Sequence, residues 1–88
     1  MMSIWKYELR VTPEQTIEMP FKSKILTIQV QHEIPCLWAL VDPDLHNVLR
    51  DICIRGTGHK FDGLGEYIGT FQQADGSLVW HVFERVEK

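Results

Sequence analysis

The sequence predicts an all-β fold, a small antiparallel β-sandwich or partly open barrel of roughly six to seven short strands. Three observations predict it. Apolar residues recur at every second position along most of the chain, the period of a strand half-buried in a sheet. Turn-forming clusters ("TPEQ", "HEIP", "DPDLHN", "GTGHKFDGLG", "ADGS") separate these alternating runs. No stretch carries the spacing of a convincing helix, and there is no repeat or low-complexity segment. With 88 residues and 44% hydrophobic content, the chain is expected to form one small domain, residues 1–88, around a thin core.

Taken in order, "IWKYELRV" puts Trp5, Tyr7, Leu9 and Val11 on one face and Lys6, Glu8 and Arg10 on the other. "TPEQ" ends that strand, and because Pro20 follows so soon, "QTIEMP" reads as a short extended segment rather than a helix. "KILTIQVQ" is rich in β-branched residues, with Leu26, Ile28 and Val30 expected on one face. "HEIP" is short enough for a hairpin connection. "CLWALVD" is apolar on both faces, as a strand covered on both sides must be, and is the candidate centre of the core. In "DPDLHNVLR" Pro43 discourages a strand, and a single helical turn over 44–49 is one reading. "DICIR" resumes the alternation, with Ile52 and Ile54 opposite Cys53. "EYIGTFQ" and "LVWHVFER" form the last two strands, joined at "ADGS", where Asp and Gly accept positive φ at little cost.

Composition narrows the function classes. A formal charge of −3, with nine scattered Lys and Arg, lacks the basic patch that backbone binding to nucleic acid requires, so no nucleic-acid partner is expected. No apolar run approaches the length of a membrane span or a signal peptide, so an intracellular protein with no membrane partner is expected. Cys36 and Cys53 sit inside apolar runs and read as buried thiols of a reducing compartment rather than a disulfide.

Chemistry-bearing patterns are sparse. Residues 56–65 gather four of the six glycines with His59 and Lys60. A glycine-rich turn can line up backbone N–H groups into a concave anion nest. Here Gly56, Thr57, Gly58, His59 and Lys60 are the candidate ligand-binding residues, with Arg50 and Arg55 as guanidinium partners for a phosphate. The stretch matches neither phosphate-loop nor dinucleotide fingerprint, and no helix follows it, so a plain mobile connection is the competing reading. Asp42, Asp44 and His46 fall at two-residue intervals, but Pro43 spoils an extended ligand set, and no metal or cofactor is expected. The serines lie in no nucleophile context, neither cysteine has an activating neighbour in sequence, and the chain reads as a non-enzyme with no catalytic residues. Three Trp, two Tyr and four Phe are more than one thin core accommodates. Trp5, Tyr67, Trp80 and Phe83 are therefore the candidate interface, implying a homo-oligomer.

The stretches "KILTIQVQHEIPCLWALVD", "GTGH" and "YIGTFQQADGSLVWHVFE" resemble a family of short, phage-encoded proteins of uncharacterised function, over about Tyr7 to Glu84. The resemblance implies expression in the host bacterial cytoplasm, as an accessory or anti-host-defence factor, and carries no catalytic residues with it. The resulting expectation is a non-enzymatic binding protein that engages a host protein or sequesters a small anionic, nucleotide-like ligand. The alternative is a structural or virion-associated assembly protein without a ligand.

Overall fold

The computed structural model describes residues 1–85 and contains seven strands: β1 (Ser3–Glu8), β2 (Glu14–Pro20), β3 (Lys24–Gln31), β4 (Ile34–Val41), β5 (Asn47–Gly56), β6 (Glu66–Gln73) and β7 (Leu78–Glu84). They form two antiparallel sheets, a three-stranded one in the order β1-β4-β3 and a four-stranded one in the order β2-β5-β7-β6. The all-β sandwich expected from the alternation is the fold. Among the described residues no helix is long and apolar enough to cross a membrane.

The inner faces meet as the sequence period dictates. Strand β4 lies at the centre of its sheet, and Leu37, Ala39 and Val41 have no solvent exposure. Opposite them stand Ile17 and Met19 of β2, Ile52 and Ile54 of β5, Phe71 of β6 and Val82 of β7. The outer side of the middle strands is also covered: Cys36 and Cys53 are both buried free thiols. This explains why "CLWALVD" and "DICIR" are apolar at consecutive positions, since alternation survives only where one face meets water.

Two sequence expectations are corrected. Leu26 does not share the face of Ile28 and Val30, because the register of β3 against β4 shifts between Ile25 and Thr27. The extra residue turns Leu26 outward and brings Ile25 and Ile28 to the core, as a bulge inverts the parity of everything beyond it. The helical turn over 44–49 is absent. Instead Leu45 N–H donates to Asp42 O (3.1 Å), closing a tight turn, and β5 begins at Asn47. The weak local preference of "NVLR" gives way to a ladder with β2 that pairs Asn47 with Pro20 and Arg50 with Ile17.

The hairpins behave as their lengths require. β3 and β4 are joined by His32 and Glu33, at φ of 51° and 69°, the two-residue turn whose twist suits a hairpin. β6 and β7 are joined through Ala74, Asp75 and Gly76, all in the left-handed region, with Ser77 N–H donating to Ala74 O at 3.0 Å. A second bulge, between Tyr67 and Gly69, lets the free edge of β6 lean onto β3, where Gly69 lies against Ile28. The sandwich is thus drawn together along its β3/β6 side and left more open between β1 and β2.

Candidate functional site

Strand β5 ends at Gly56, and the glycine-rich segment 57–65 then folds in two halves onto opposite sides of the four-stranded sheet. The first half is a closed turn. His59 N–H donates to Gly56 O (3.0 Å), Gly58 takes φ of 88°, and Thr57 N–H donates to Val79 O of β7 (3.2 Å). The His59 ring folds back so that its Nδ1 accepts from Gly56 N–H at 3.2 Å, which puts the ring proton of the neutral tautomer on Nε2. A side chain at position 56 would bring its Cβ within 2.9 Å of the His59 ring, so glycine is what permits this approach. The N–H groups of Gly56, Thr57 and His59 are therefore spent inside the protein, and the turn is not an open anion nest.

What the turn builds is a cleft. The His59 ring meets the Trp80 indole edge-on, with centroids 6.1 Å apart. Together with Val11, Thr12, Pro13, Ile54 and Arg55 the two rings line a cleft of about 390 Å³, apolar over most of its wall. Trp80 is held in place by a hydrogen bond from its indole N–H to Gln73 Oε1 (3.1 Å). Thr12 is anchored in turn, its hydroxyl donating to Glu14 O (3.1 Å).

The second half of the loop lies on the outer face of the sheet. Phe61 stacks on Phe83 (centroids 4.5 Å) under the guanidinium groups of Arg55 and Arg85, 5.6 and 5.4 Å from its ring centre. Arg85 bonds both Asp62 (2.7 Å) and Glu14 (2.8 Å), and Arg55 bonds Glu14 (2.8 Å) and Pro13 O (2.7 Å). Gly65 closes the loop where a Cβ would come within 3.0 Å of Glu84 O. Cys53 lies beneath this cover, and burial pushes its thiol pKa up.

The electrostatics of the cluster have a pH consequence. Glu14 is held below the usual carboxylate range chiefly by its hydrogen bond from Arg85, and Asp62 by the Leu64 backbone N–H and then by Arg85. A depressed folded pKa means the unfolded chain binds more protons in acid. The stabilisation is therefore complete above the unfolded carboxylate pKa and fades as pH falls below about 4. Thermal melts between neutral and acid pH are expected to show a falling Tm, and Glu14→Gln is expected to flatten that fall. An unchanged slope in the variant would remove Glu14 from the cause.

The predicted site residues are only partly brought together. Arg55, His59 and Trp80 line the cleft, Gly56, Thr57 and Gly58 form the turn that carries His59, and Lys60 is exposed. Arg50 points to the other face of β5, where its guanidinium pairs with Glu84 through two nitrogens and donates to Ser23 O (2.8 Å). The four interface aromatics do not form one face. Trp5 belongs to the three-stranded sheet and is 40% exposed, while Trp80 faces inward. Phe83 and the 60% exposed Tyr67 lie on the outer face of the other sheet, because residues 80 and 83 of one strand have opposite parity. His46 stacks on Phe21, and the Asp42 carboxylate accepts from the Asp44 N–H at 3.1 Å.

Sequence reasoning missed the wall at Val11 to Pro13, the Glu14–Arg85–Asp62 cluster, and a hydrogen-bonded chain on the outer face. In that chain Thr57 Oγ1 meets His81 Nε2 (2.7 Å), His81 Nδ1 meets Thr70 (3.1 Å), and Thr70 meets the Tyr67 hydroxyl (2.5 Å). The alternation of "TFQ" and "WHVF" was the available signal for the last of these, since it sets Thr70 and His81 on one face once the strands pair.

A family model described as "Domain of unknown function (DUF7352)" matches residues 1–88, so the chain belongs to that family. No curated protein and no solved structure matches the chain.

Proposed function

We propose that this member of the DUF7352 family is a non-enzymatic binding protein whose cleft between Trp80, His59 and Pro13 takes a flat ring of a small, nucleotide-like anionic ligand. One observation carries the reading: a glycine-rich turn, with its Gly56 N–H bonded to the His59 ring, sets that ring beside a tryptophan in the wall of an apolar cleft. Such a wall suits a ring face better than a bare phosphate, because stacking needs π-surfaces and excluded water, both of which Trp80 and His59 supply. Arg55 remains committed to Glu14 and Pro13 and stiffens the wall, so the anionic end of the ligand lies outward, toward solvent.

Sequestration rather than turnover fits this arrangement, and so does an accessory or anti-defence role in an infected bacterium. The phage context rests on the resemblance of the "QVQ…PCLWALVD" and "YIGTFQ…LVWH" hairpins. The test is titration with a panel of mono-, di- and cyclic nucleotides, followed by tryptophan fluorescence and calorimetry. A bound nucleotide is expected to quench Trp80 and to be recovered intact. His59→Ala is expected to weaken binding about tenfold, the loss of one stacking partner. Absence of quenching across the panel, or binding indifferent to His59→Ala, would overturn the assignment of the cleft.

A further inference from the structure

The two sheets have four edge strands, and three of them are guarded against pairing with another chain. β3 and β6 carry bulges, and β2 ends in Pro20. β1 has neither a bulge nor a proline. It pairs in unbroken register with β4 from Ser3–Val41 to Glu8–Cys36 and, among the described residues, with no other strand. It also exposes two large apolar side chains, Ile4 at 61% and Trp5 at 40%.

The direction of its free backbone groups follows from one hydrogen bond. Leu9 N–H donates to Pro35 O (2.9 Å), continuing the β1–β4 ladder. In an antiparallel pair successive residues alternate between facing the partner strand and facing away. Ser3, Trp5, Tyr7 and Leu9 therefore spend their groups on β4, and Ile4, Lys6, Glu8 and Arg10 turn theirs outward. The protein covers the last of these itself: the Gln15 side chain accepts from Arg10 N–H (3.2 Å) and donates to Arg10 O (2.6 Å). The free row is left at Ile4, Lys6 and Glu8, all exposed.

We propose that this row pairs with the β1 strand of a second copy, antiparallel about a two-fold axis beside Tyr7, joining the three-stranded sheets into one six-stranded sheet. Charge selects the partner and the register. With the axis at Tyr7, Lys6 lies opposite Glu8 of the second copy and Glu8 opposite its Lys6, while Trp5 covers Leu9 across the seam. An axis at Lys6 would set two lysines face to face. An axis at Trp5 would leave Glu8 without a partner. Only the Tyr7 register matches opposite charges at both charged positions of the row; Ile4 then meets Arg10 of the second copy, whose backbone Gln15 already holds, and the pairing stops there. This contact is separate from the His59–Trp80 cleft and does not depend on a ligand.

The experiment is sedimentation and native mass spectrometry of the full chain and two charge variants. The wild type is expected to be a dimer. Lys6→Glu alone and Glu8→Lys alone each place like charges across the seam and are expected to weaken dimerisation roughly tenfold or more. Mixing the two variants restores both opposite-charge pairs and is expected to give a heterodimer. Circular dichroism shows that each variant is folded, which is expected because both side chains are exposed. A monomeric wild type, or a mixture that stays as weak as its parts, overturns the proposal, whatever the nucleotide titration shows.

Discussion

Leu37→Ala is expected to lower the free energy of unfolding by about 2–5 kcal/mol, the cost of deleting a fully buried leucine side chain and leaving part of its cavity. The residue has no exposed surface and sits on the inner face of the central strand β4, between Tyr7 of β1 and Ile28 of β3 in register. A chain of this size has roughly 4–13 kcal/mol in total at ordinary stability per residue, so one substitution removes a large share. Urea denaturation followed by fluorescence is the measurement, with a lower midpoint and an unchanged slope as the expected result. Leu49→Ala is the control, since Leu49 is exposed on the outer face of β5 and its loss is expected to cost under about 0.5 kcal/mol. Equal effects at the two positions would mean that the sheets do not close over Leu37.

Arg50→Met is expected to cost about 2–3 kcal/mol, because it strands a largely buried carboxylate rather than merely removing a charge. Arg50 and Glu84 are each about one-fifth exposed, and their two-pronged pair fastens β5 to the end of β7. The same guanidinium reaches Ser23 O in the turn between β2 and β3, so it also ties the two sheets at that end. Hydrogen bonding to Glu84 is the main cause that raises the Arg50 pKa. Replacing both partners, Arg50→Met with Glu84→Met, is expected to recover most of the loss, since neither charge is then left alone. Chemical denaturation of the single and double variants tests this. Ligand affinity separates a structural Arg50 from a binding one: folded Arg50→Met is expected to bind as the wild type does. A variant of normal stability that had lost the ligand would return Arg50 to the site.

Much of the fold was legible because the alternation of apolar residues is itself the physics of a half-buried strand. "QTIEMP" read as extended because Pro20 leaves a helix no room, and "CLWALV" declared a central strand by lacking a polar face. The failures share one cause. A bulge at Leu26 moves every later side chain of β3 by one position, and nothing in "KILTIQVQ" marks it. The hairpin expected at "HEIP" is present, by contrast, with His32 and Glu33 at positive φ because the strands on either side demand it. At Asn47 to Arg50 a segment with weak local preference became strand because β2 lay beside it.

The candidate site divides in the same way. That residues 56–60 form a tight turn carrying a histidine followed from their glycines alone. That the turn consumes its own N–H groups, and faces Val11 to Pro13 across a cleft, did not. Glu14 and Arg85, which pin the loop, stand far apart in the chain and meet only because β2 and β7 flank β5. Local sequence determined most of the strands and their faces, Leu26 and Asn47–Arg50 excepted, and the position of the loop, since those depend on side-chain period and on which residues tolerate positive φ. Tertiary structure alone decided the order of strands in each sheet, the partners of Arg50 and Arg55, and the walls of the cleft. These depend on which strands lie side by side, and that is settled by the burial of the whole chain at once rather than by any one segment of it.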